Sequence, residues 1–255
     1  LAGNWDQSST SSKALANSST ITLTGNGTFT ADGTVSSTQY SNVTLVVNGT
    51  NTITYNNRAS SSTGFKNLTS GQSGNTTTLG SHIAVSNVVT IGSGTLTGFS
   101  YYVWLPGANP FSFDVNSRIS VGPHYFIGAT NQTIPTLVNG YDVGSILVSS
   151  SPTTVTQTGD VTINSGNLLI SPLGNGSASN VDTWKTDGYN LTVGGYISIG
   201  YGSDTGLKKL DATRNGARTS TITVGGNWLN YGTGTAPSQF IADDSTVILT
   251  GTSAS

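Results

Sequence analysis

The stretch Asn190-Leu191-Thr192-Val193-Gly194-Gly195-Tyr196-Ile197 returns 31 positions later as Thr221-Ile222-Thr223-Val224-Gly225-Gly226-Asn227-Trp228. In both copies the apolar residues occupy alternate positions, and threonines occupy the positions between them. This period of two is typical of a β-strand with one buried face and one solvent face. The pattern predicts two sets of positions: Leu191, Val193, Ile197, Ile222, Val224 and Trp228 inside, and Thr192, Thr221 and Thr223 outside.

The beginning of the chain repeats the same pattern. Leu1-Ala2-Gly3-Asn4-Trp5 matches Val224 to Trp228, and Ser19 to Gly25 matches Ser245 to Gly251. A further likeness, between Val89 to Leu96 and Val161 to Leu168, spans 72 residues and fits three turns of about 24 residues each. Repeated units of this kind bury their apolar faces by stacking on one another.

The sequence therefore predicts an all-β, single-domain solenoid over residues 1–255, most simply a right-handed parallel β-helix. A β-sandwich of the pilin type, joined by donor strands, is the alternative, since short alternating strands support it as well. The sequence contains no Met, and we interpret the chain as a fragment of a longer one.

Composition narrows the classes of function. Only 8% of the residues are charged, the net charge is −2, and the nine Lys and Arg are scattered, so the basic surface that nucleic acid requires is not expected. The chain has no Cys, which excludes disulfides and zinc–thiolate sites. No apolar run approaches the length of a membrane span.

Residues 101–144 differ from the rest because aromatic residues and prolines concentrate there. We expect either an insertion that leaves the coil or an aromatic-rich section of it. Exposed rings would form a platform for a sugar or another protein. The candidate binding or assembly residues are Tyr101, Tyr102, Trp104, Phe111 and Tyr125.

The phrases Val193-Gly194-Gly195, Val224-Gly225-Gly226-Asn227-Trp228 and Ser245 to Gly251 resemble the repeats of large secreted bacterial and archaeal surface proteins. The resemblance covers residues 155–251 well and 1–100 loosely, but not 101–144. It implies a right-handed parallel β-helix, an extracellular location, and a role in surface display, adhesion or scaffolding.

Residues for catalysis or metal binding are sparse. The nearest acidic pairs, Asp182 with Asp187 and Asp243 with Asp244, suit solvated turns better than a pair of catalytic carboxylates. Residues 201–218, with Lys208 and Lys209, are expected to form a solvated loop. Asp204 lies in one weak copy of a calcium-binding turn. We therefore expect no enzyme activity, no cofactor and no metal.

Two further features concern the polar surface. Thr20, Thr22 and Thr24 resemble the threonine arrays of ice-binding solenoids, but such a site needs Thr-x-Thr on every turn, and we expect the repeats to be too irregular for it. Asn-x-Ser/Thr sequences are frequent and mark candidate glycosylation sites. These sites are Asn17, Asn26, Asn42, Asn48, Asn67, Asn75, Asn131, Asn175 and Asn190.

Together these patterns predict an extracellular structural protein, a subunit of a surface layer or filament that assembles by stacking or strand addition. Its partners would be other copies of itself. The alternative is an adhesin or glycan-binding module that uses the aromatic residues between 101 and 126, with cell-surface glycans as partners.

Overall fold

The computed structural model describes residues 1–7, 18–32, 40, 42–56, 64–98, 101–114, 117–126, 131–137, 141–142, 144–149, 153–170, 181–200, 206–213, 215–231 and 238–251. The chain is nearly all β, and its strands stack in parallel sheets, as a β-solenoid requires. Contacts between residues divide it into two units, Leu1–Gly122 and Pro123–Ser255.

The first unit is built from two parallel sheets. Sheet A contains, in spatial order, β1 (Trp5–Gln7), β3 (Gly27–Asp32), β5 (Asn51–Asn56), β7 (Thr76–Leu79), β9 (Thr95–Gly98) and β12 (Arg118–Val121). Sheet B contains β2 (Thr20–Leu23), β4 (Thr44–Val47), β6 (Phe65–Ser70), β8 (Ile83–Ile91) and β10 (Val103–Leu105), with β11 (Phe111–Phe113) also paired to β8. A short 3-10 helix, Gln72–Gly74, precedes β7.

Alternating apolar residues explain why these segments are strands. Ile21 and Leu23 of β2 point inward, as do Leu45 and Val47 of β4, while the residues between them are more exposed. Ile21 pairs with Leu45, one turn of the coil further along the chain. The predicted turn length of about 24 residues is therefore confirmed here. The similar sequences that begin at Val89 and Val161, however, belong to strands of different sheets.

Asparagines at the corners link one turn of the coil to the next. The Oδ1 atom of Asn4 accepts a hydrogen bond from the Thr28 amide at 3.0 Å. Asn26 Oδ1 accepts one in the same way from the Thr50 amide at 2.9 Å. These bonds satisfy backbone donors at corners, where the sheet ladder is interrupted.

The second unit has three parallel sheets. Sheet C contains β13 (His124–Phe126), β16 (Ile146–Val148), β19 (Leu168–Ile170), β22 (Ile197–Ile199) and β25 (Trp228–Asn230). Sheet D contains β14 (Gln132–Ile134), β17 (Thr154–Gln157), β20 (Val181–Lys185), β23 (Leu207–Asp211) and β26 (Ser238–Ile241). Sheet E contains β18 (Val161–Ile163), β21 (Leu191–Val193), β24 (Thr221–Val224) and β27 (Thr246–Leu249), and the short β15 (Tyr141–Asp142) lies between β14 and β16 in the chain.

The two copies of the repeat, residues 190–197 and 221–228, pair with each other in matched register. Leu191 pairs with Ile222 and Val193 with Val224, and all four are fully buried. Ile197 pairs with Trp228 in sheet C. The predicted inward set is thus confirmed with one correction: Trp228 is only half-buried, because β25 is the last strand of its sheet.

The aromatic-rich stretch continues the coil in its described residues. β10 and β11 pair with the two ends of β8, and β12 pairs with β9. In the second unit β13 pairs with β16 and β14 pairs with β17. We find strands here rather than a segment that leaves the coil.

The expectation of a solvated loop over residues 201–218 was wrong for Lys208. Residues Leu207–Asp211 form β23, and Lys208 points inward beside Leu210 with 1% of its surface exposed. The sequence pattern is obscured because a charged residue occupies an inward position.

Between the strands of the described ranges the pairing is parallel, and the one antiparallel contact found there is an isolated bridge between Asn215 and Arg218. An antiparallel sandwich of the pilin type is therefore not the fold. The right-handed sense of the coil and the single domain stay predictions. Among the residues described, no helix has the length and apolarity to cross a membrane.

Candidate functional site

Three of the predicted aromatic residues come together around a histidine. His82 precedes β8, and Tyr101 and Tyr102 precede β10, the strand that pairs with the start of β8. The Tyr102 amide donates to His82 Nδ1 at 2.8 Å, and the Ile83 amide donates to the Tyr102 carbonyl at 3.0 Å. Because Nδ1 accepts a hydrogen bond, neutral His82 carries its proton on Nε2.

The rings form one connected group, which we call the His82 cluster: His82, Tyr101, Tyr102 and Trp104. The Tyr102 ring stacks on His82 with centroids 4.5 Å apart, and Tyr101 and Trp104 meet His82 edge-on at 5.6 and 5.5 Å. Tyr102 and Trp104 are 5.9 Å apart and nearly perpendicular.

All four side chains of the His82 cluster are half-buried. Each ring therefore has part of its surface open to solvent, while its contacts with the others fix its orientation. Preorganised aromatic surface of this kind suits ligands that present an apolar face, such as the C–H face of a sugar ring. The sequence reasoning missed His82, although its separation from Tyr102 along the chain is close to one turn of the coil.

The other two predicted residues lie elsewhere or have no described side chain. Phe111 pairs with Val89, at the opposite end of β8 from His82, and is 8% exposed. Its ring stacks on Phe113 with centroids 5.1 Å apart. The backbone of Tyr125 belongs to β13, but its side chain lies outside the described part.

A second candidate surface is the outermost strand of sheet E. In β27, Val247 pairs with Ile222 and Leu249 with Val224. Both therefore extend the rows of inward-facing buried residues that run from strand to strand, which we call the inward columns. Yet Val247 is 38% exposed and Leu249 is 62% exposed. β27 is the last strand of sheet E in the described ranges. We call this strand, with its exposed inward residues Val247 and Leu249, the β27 edge.

The β27 edge has a counterpart within the same chain. The Thr250 amide and hydroxyl both donate to the Val224 carbonyl, at 2.8 and 3.2 Å. The Thr24 amide and hydroxyl donate in the same way to the Leu1 carbonyl, at 2.8 and 3.2 Å. The likeness of the first and last repeats is therefore structural, and β27 corresponds to β2.

This correspondence shows what normally covers such a strand. In the first unit β4 pairs along β2, and the Asn48 amide donates to the Leu23 carbonyl at 2.8 Å. Leu23 is consequently fully buried. Leu249, its counterpart, is in the same backbone setting without a described strand against it.

The candidate glycosylation sites differ in exposure. Those with exposed side chains are Asn26, Asn42, Asn48, Asn131 and Asn190. The Nδ2 atom of Asn75 donates to the carbonyls of Asn48 and Gln72, and that of Asn67 donates to Thr44 Oγ1, so a glycan there would displace hydrogen bonds. Asn17 and Asn175 lie outside the described residues.

The acidic residues do not form a paired catalytic site in the described ranges. Asp182 is buried against Lys208, with Oδ2 and Nζ 3.0 Å apart. Asp187 bonds to Lys185 and Asn215. Burial acts to raise the pKa of Asp187, but these hydrogen bonds and the positive charges of Lys185 and Arg218 together outweigh it and hold the pKa below its usual value. Asp243 and Asp244 are exposed in a turn.

Metal ligands are equally dispersed in the parts of the chain that the structure describes, where no group of three or more acidic or histidine residues is close enough to hold an ion. Asp204, the weak calcium candidate, lies outside those parts. The absence of a metal or cofactor therefore stays a prediction, as does the absence of enzyme activity.

Comparisons with known proteins add no family. The chain matches no protein-family model, and neither a curated protein nor a solved structure is significantly similar to it. The resemblance to surface-protein repeats stays a prediction.

Proposed function

We propose that this chain is an extracellular structural protein that assembles by stacking β-coils of successive copies end to end. The observation that carries the proposal is the β27 edge, where two residues of the inward columns face solvent. The occupant is a second copy of this chain, which contributes a parallel strand at the ordinary spacing of about 4.8 Å.

Two features support a second copy as the occupant. The chain already stacks a turn of its own against β2, the counterpart of β27, so coils of this sequence fit one another. The low charge also supports stacking, because 8% charged residues give little repulsion between copies. A head-to-tail contact of this heterologous kind does not close on itself and yields a filament.

The test is light scattering and electron microscopy of the purified chain over a range of concentrations. The parent protein elongates with concentration, whereas Leu249→Asp stays monomeric, because it places a charge in the contact between copies. Ile248→Asp is the matched control: it changes the neighbouring residue of β27, which is exposed on the outward side, and it leaves assembly intact.

Leu249 is already solvent-exposed, so Leu249→Asp should melt at the parent temperature. A parent protein that remains monomeric at high concentration would overturn the stacking proposal. Equal loss of assembly in Leu249→Asp and Ile248→Asp would place the contact elsewhere than in the inward columns.

A second candidate function, binding of neutral glycans, is favoured by the His82 cluster. Its rings are held in fixed orientations and half-exposed, and an uncharged sugar stacks on such surfaces without an ionic partner. Pairs of aromatic rings in proteins contribute ~0.5–1.5 kcal/mol in addition to the effect of burying their surface area. We expect each contact between a ring and the sugar to be of the same order. The cell-surface location and the glycan partner are parts of this proposal.

Glycan-array binding tests this second candidate. The triple variant Tyr101→Ala, Tyr102→Ala and Trp104→Ala should lose glycan retention and keep its far-UV circular dichroism. Tyr189→Ala, which removes a half-buried ring that contacts Arg218 in the second unit, is the control and should bind as the parent does. If the triple variant unfolds, the three rings serve the core.

A further inference from the structure

The outer face of sheet A presents threonines in a two-dimensional array. Thr28 pairs with Thr52, Thr52 with Thr78, and Thr78 with Thr97, so one threonine from each of four consecutive strands forms a column. Thr30 pairs with Thr54 on one side of this column, and Thr76 pairs with Thr95 on the other. We call this set the Thr face: Thr28, Thr30, Thr52, Thr54, Thr76, Thr78, Thr95 and Thr97.

Each strand of the Thr face contains the sequence Thr-x-Thr, with the middle residue turned inward. Phe29, Ile53 and Leu96 at these middle positions are buried. The regularity is hidden in the sequence because the steps between column members are unequal: the step from Thr52 to Thr78 is the longest, and the step from Thr78 to Thr97 is the shortest. The expectation that the repeats are too irregular for such an array was therefore wrong for this sheet.

The array also keeps its register despite these unequal steps. Periodic repetition of one unit would align threonines automatically, but turns of unequal length do not. The segments between these strands differ in length, while the outward threonines remain opposite one another. The alignment is thus a property of the folded face and not of the sequence period.

The spacing of the Thr face follows from strand geometry and from its unbroken register. Neighbouring strands lie about 4.8 Å apart, and alternate residues of one parallel strand are about 6.6 Å apart, so the hydroxyl and methyl groups repeat in two directions. Threonine is β-branched and stiff about χ1, which limits the positions its hydroxyl can take. The ladders β3–β5, β5–β7 and β7–β9 carry no register shift, whereas β6–β8 in sheet B has one.

The eight threonines of the Thr face carry no charge themselves, but charged residues flank them: exposed Asp6 of β1 pairs with Thr30. The eight threonines are all half-buried or exposed. Gly80 follows β7 at the margin, where a Cβ atom would lie 2.5 Å from Thr54 Oγ1, so glycine leaves that hydroxyl uncovered. The array ends at β12, where exposed Arg118 pairs with Thr95.

We infer that the Thr face binds ice. A regular lattice of threonine hydroxyls and methyls complements a ligand whose hydrogen-bonding atoms are themselves on a lattice of comparable repeat, and the surface of an ice crystal is such a ligand. The eight threonines offer no charge to a charged macromolecule, and the flanking Asp6 and Arg118 are single charges of opposite sign. A sugar finds no aromatic ring among the threonines, in contrast to the His82 cluster. This inference is independent of the proposed stacking function.

Ice binding is tested with the whole chain by thermal hysteresis and by adsorption of the fluorescently labelled protein to a growing ice crystal. The parent protein is expected to adsorb and to depress the freezing point below the melting point. The double variant Thr52→Tyr and Thr78→Tyr places two bulky rings on adjacent strands of the array and should lose both effects.

The matched control is Thr133→Tyr and Thr156→Tyr on sheet D, where two half-buried threonines are also paired in register, next to Lys185. This control should retain ice activity. If the first double variant melts early, Thr97→Lys alone, near the margin of the face, replaces it and should weaken adsorption.

Absence of adsorption by the parent protein would overturn the inference. So would equal loss in the sheet A and sheet D variants, or binding of the parent to crystalline cellulose or chitin through the Thr face without any effect on ice. Leu249→Asp separates this inference from the stacking proposal, because it should abolish assembly and leave ice adsorption unchanged.

Discussion

The mainly aliphatic interior of the first unit includes a cluster of three aromatic rings, whereas that of the second includes an ion pair and a hydrogen-bonded tryptophan. Phe29, Tyr40 and Phe65 are buried together, with ring centroids 5.6 to 5.8 Å apart. In the second unit, buried Lys208 pairs with buried Asp182. The same parallel coil therefore accepts two kinds of filling.

The second interior also holds a hydrogen-bonded tryptophan. Trp184 is fully buried, and its Nε1 donates to Gln157 Oε1 at 2.9 Å. Gln157 Nε2 in turn donates to the carbonyls of Gly159 and Asn190. Polar groups inside a coil need partners, and here neighbouring turns supply them. The hydrogen bonds between strands therefore define the coil in both units. The side chains buried inside each unit determine how much its stability changes on substitution.

The largest effect is expected where the interior is ionic. Lys208→Ala leaves Asp182 buried without its cation, which should lower the free energy of unfolding by about 3–5 kcal/mol. Urea denaturation measures the loss. Lys209→Ala, on the outward side of the same strand and half-exposed, is the control and should change stability by less than about 0.5 kcal/mol.

A paired replacement sharpens this result. Asp182→Leu with Lys208→Met removes both charges at similar volume and should be nearly neutral or stabilising by ~1–4 kcal/mol, because neither charge then needs desolvation. If the pair costs as much as Lys208→Ala, the ion pair supports the fold by more than charge compensation. Equal stability of Lys208→Ala and Lys209→Ala would contradict the buried position of Lys208.

A smaller effect is expected where the interior is aromatic. Phe65→Leu keeps an apolar side chain but loses two ring contacts, with Phe29 and Tyr40. At ~0.5–1.5 kcal/mol for each ring pair, the loss should be about 1–3 kcal/mol. Thermal unfolding followed by near-ultraviolet circular dichroism reports both stability and ring packing. Phe113→Leu, a half-buried ring of sheet B, is the matched control and should cost less.

The buried residues of the two units show how much of the fold could be predicted from the sequence. The parity of Leu191, Val193, Ile222 and Val224 predicted their burial, because strand geometry alone determines it. Lys208 could not be placed from the sequence, since its burial depends on Asp182 arriving in register from the preceding turn of the coil. His82 and the Thr face were missed for a similar reason: both arise from residues one turn apart, and the length of each turn varies.

The smallest effect concerns an ion pair near the surface, which is the counterpart of the buried one. Lys185 Nζ and Asp187 Oδ1 are 2.9 Å apart, almost the same distance as in the Lys208–Asp182 pair, but their side chains are 36% and 22% exposed. Solvent screens such a pair, so it contributes ~1 kcal/mol at most. Asp187 also has a positive φ of 53°, which Asn tolerates, so Asp187→Asn removes the charge without new backbone strain.

The pH dependence of the stability of Asp187→Asn tests whether the charge of Asp187 stabilises the fold. The pKa of Asp187 is held below its usual value in the folded chain, so its charge adds stability above the unfolded pKa of about 3.9, and this contribution disappears as pH falls through the lower folded pKa. The stability difference between parent and Asp187→Asn, measured by urea denaturation, should therefore shrink between roughly pH 6 and pH 2.5 and should also shrink in high salt. A difference close to zero at every pH and salt concentration would mean that Asp187 acts through its hydrogen bond from Asn215, which the amide oxygen of the variant can still accept, and not through the charge it shares with Lys185.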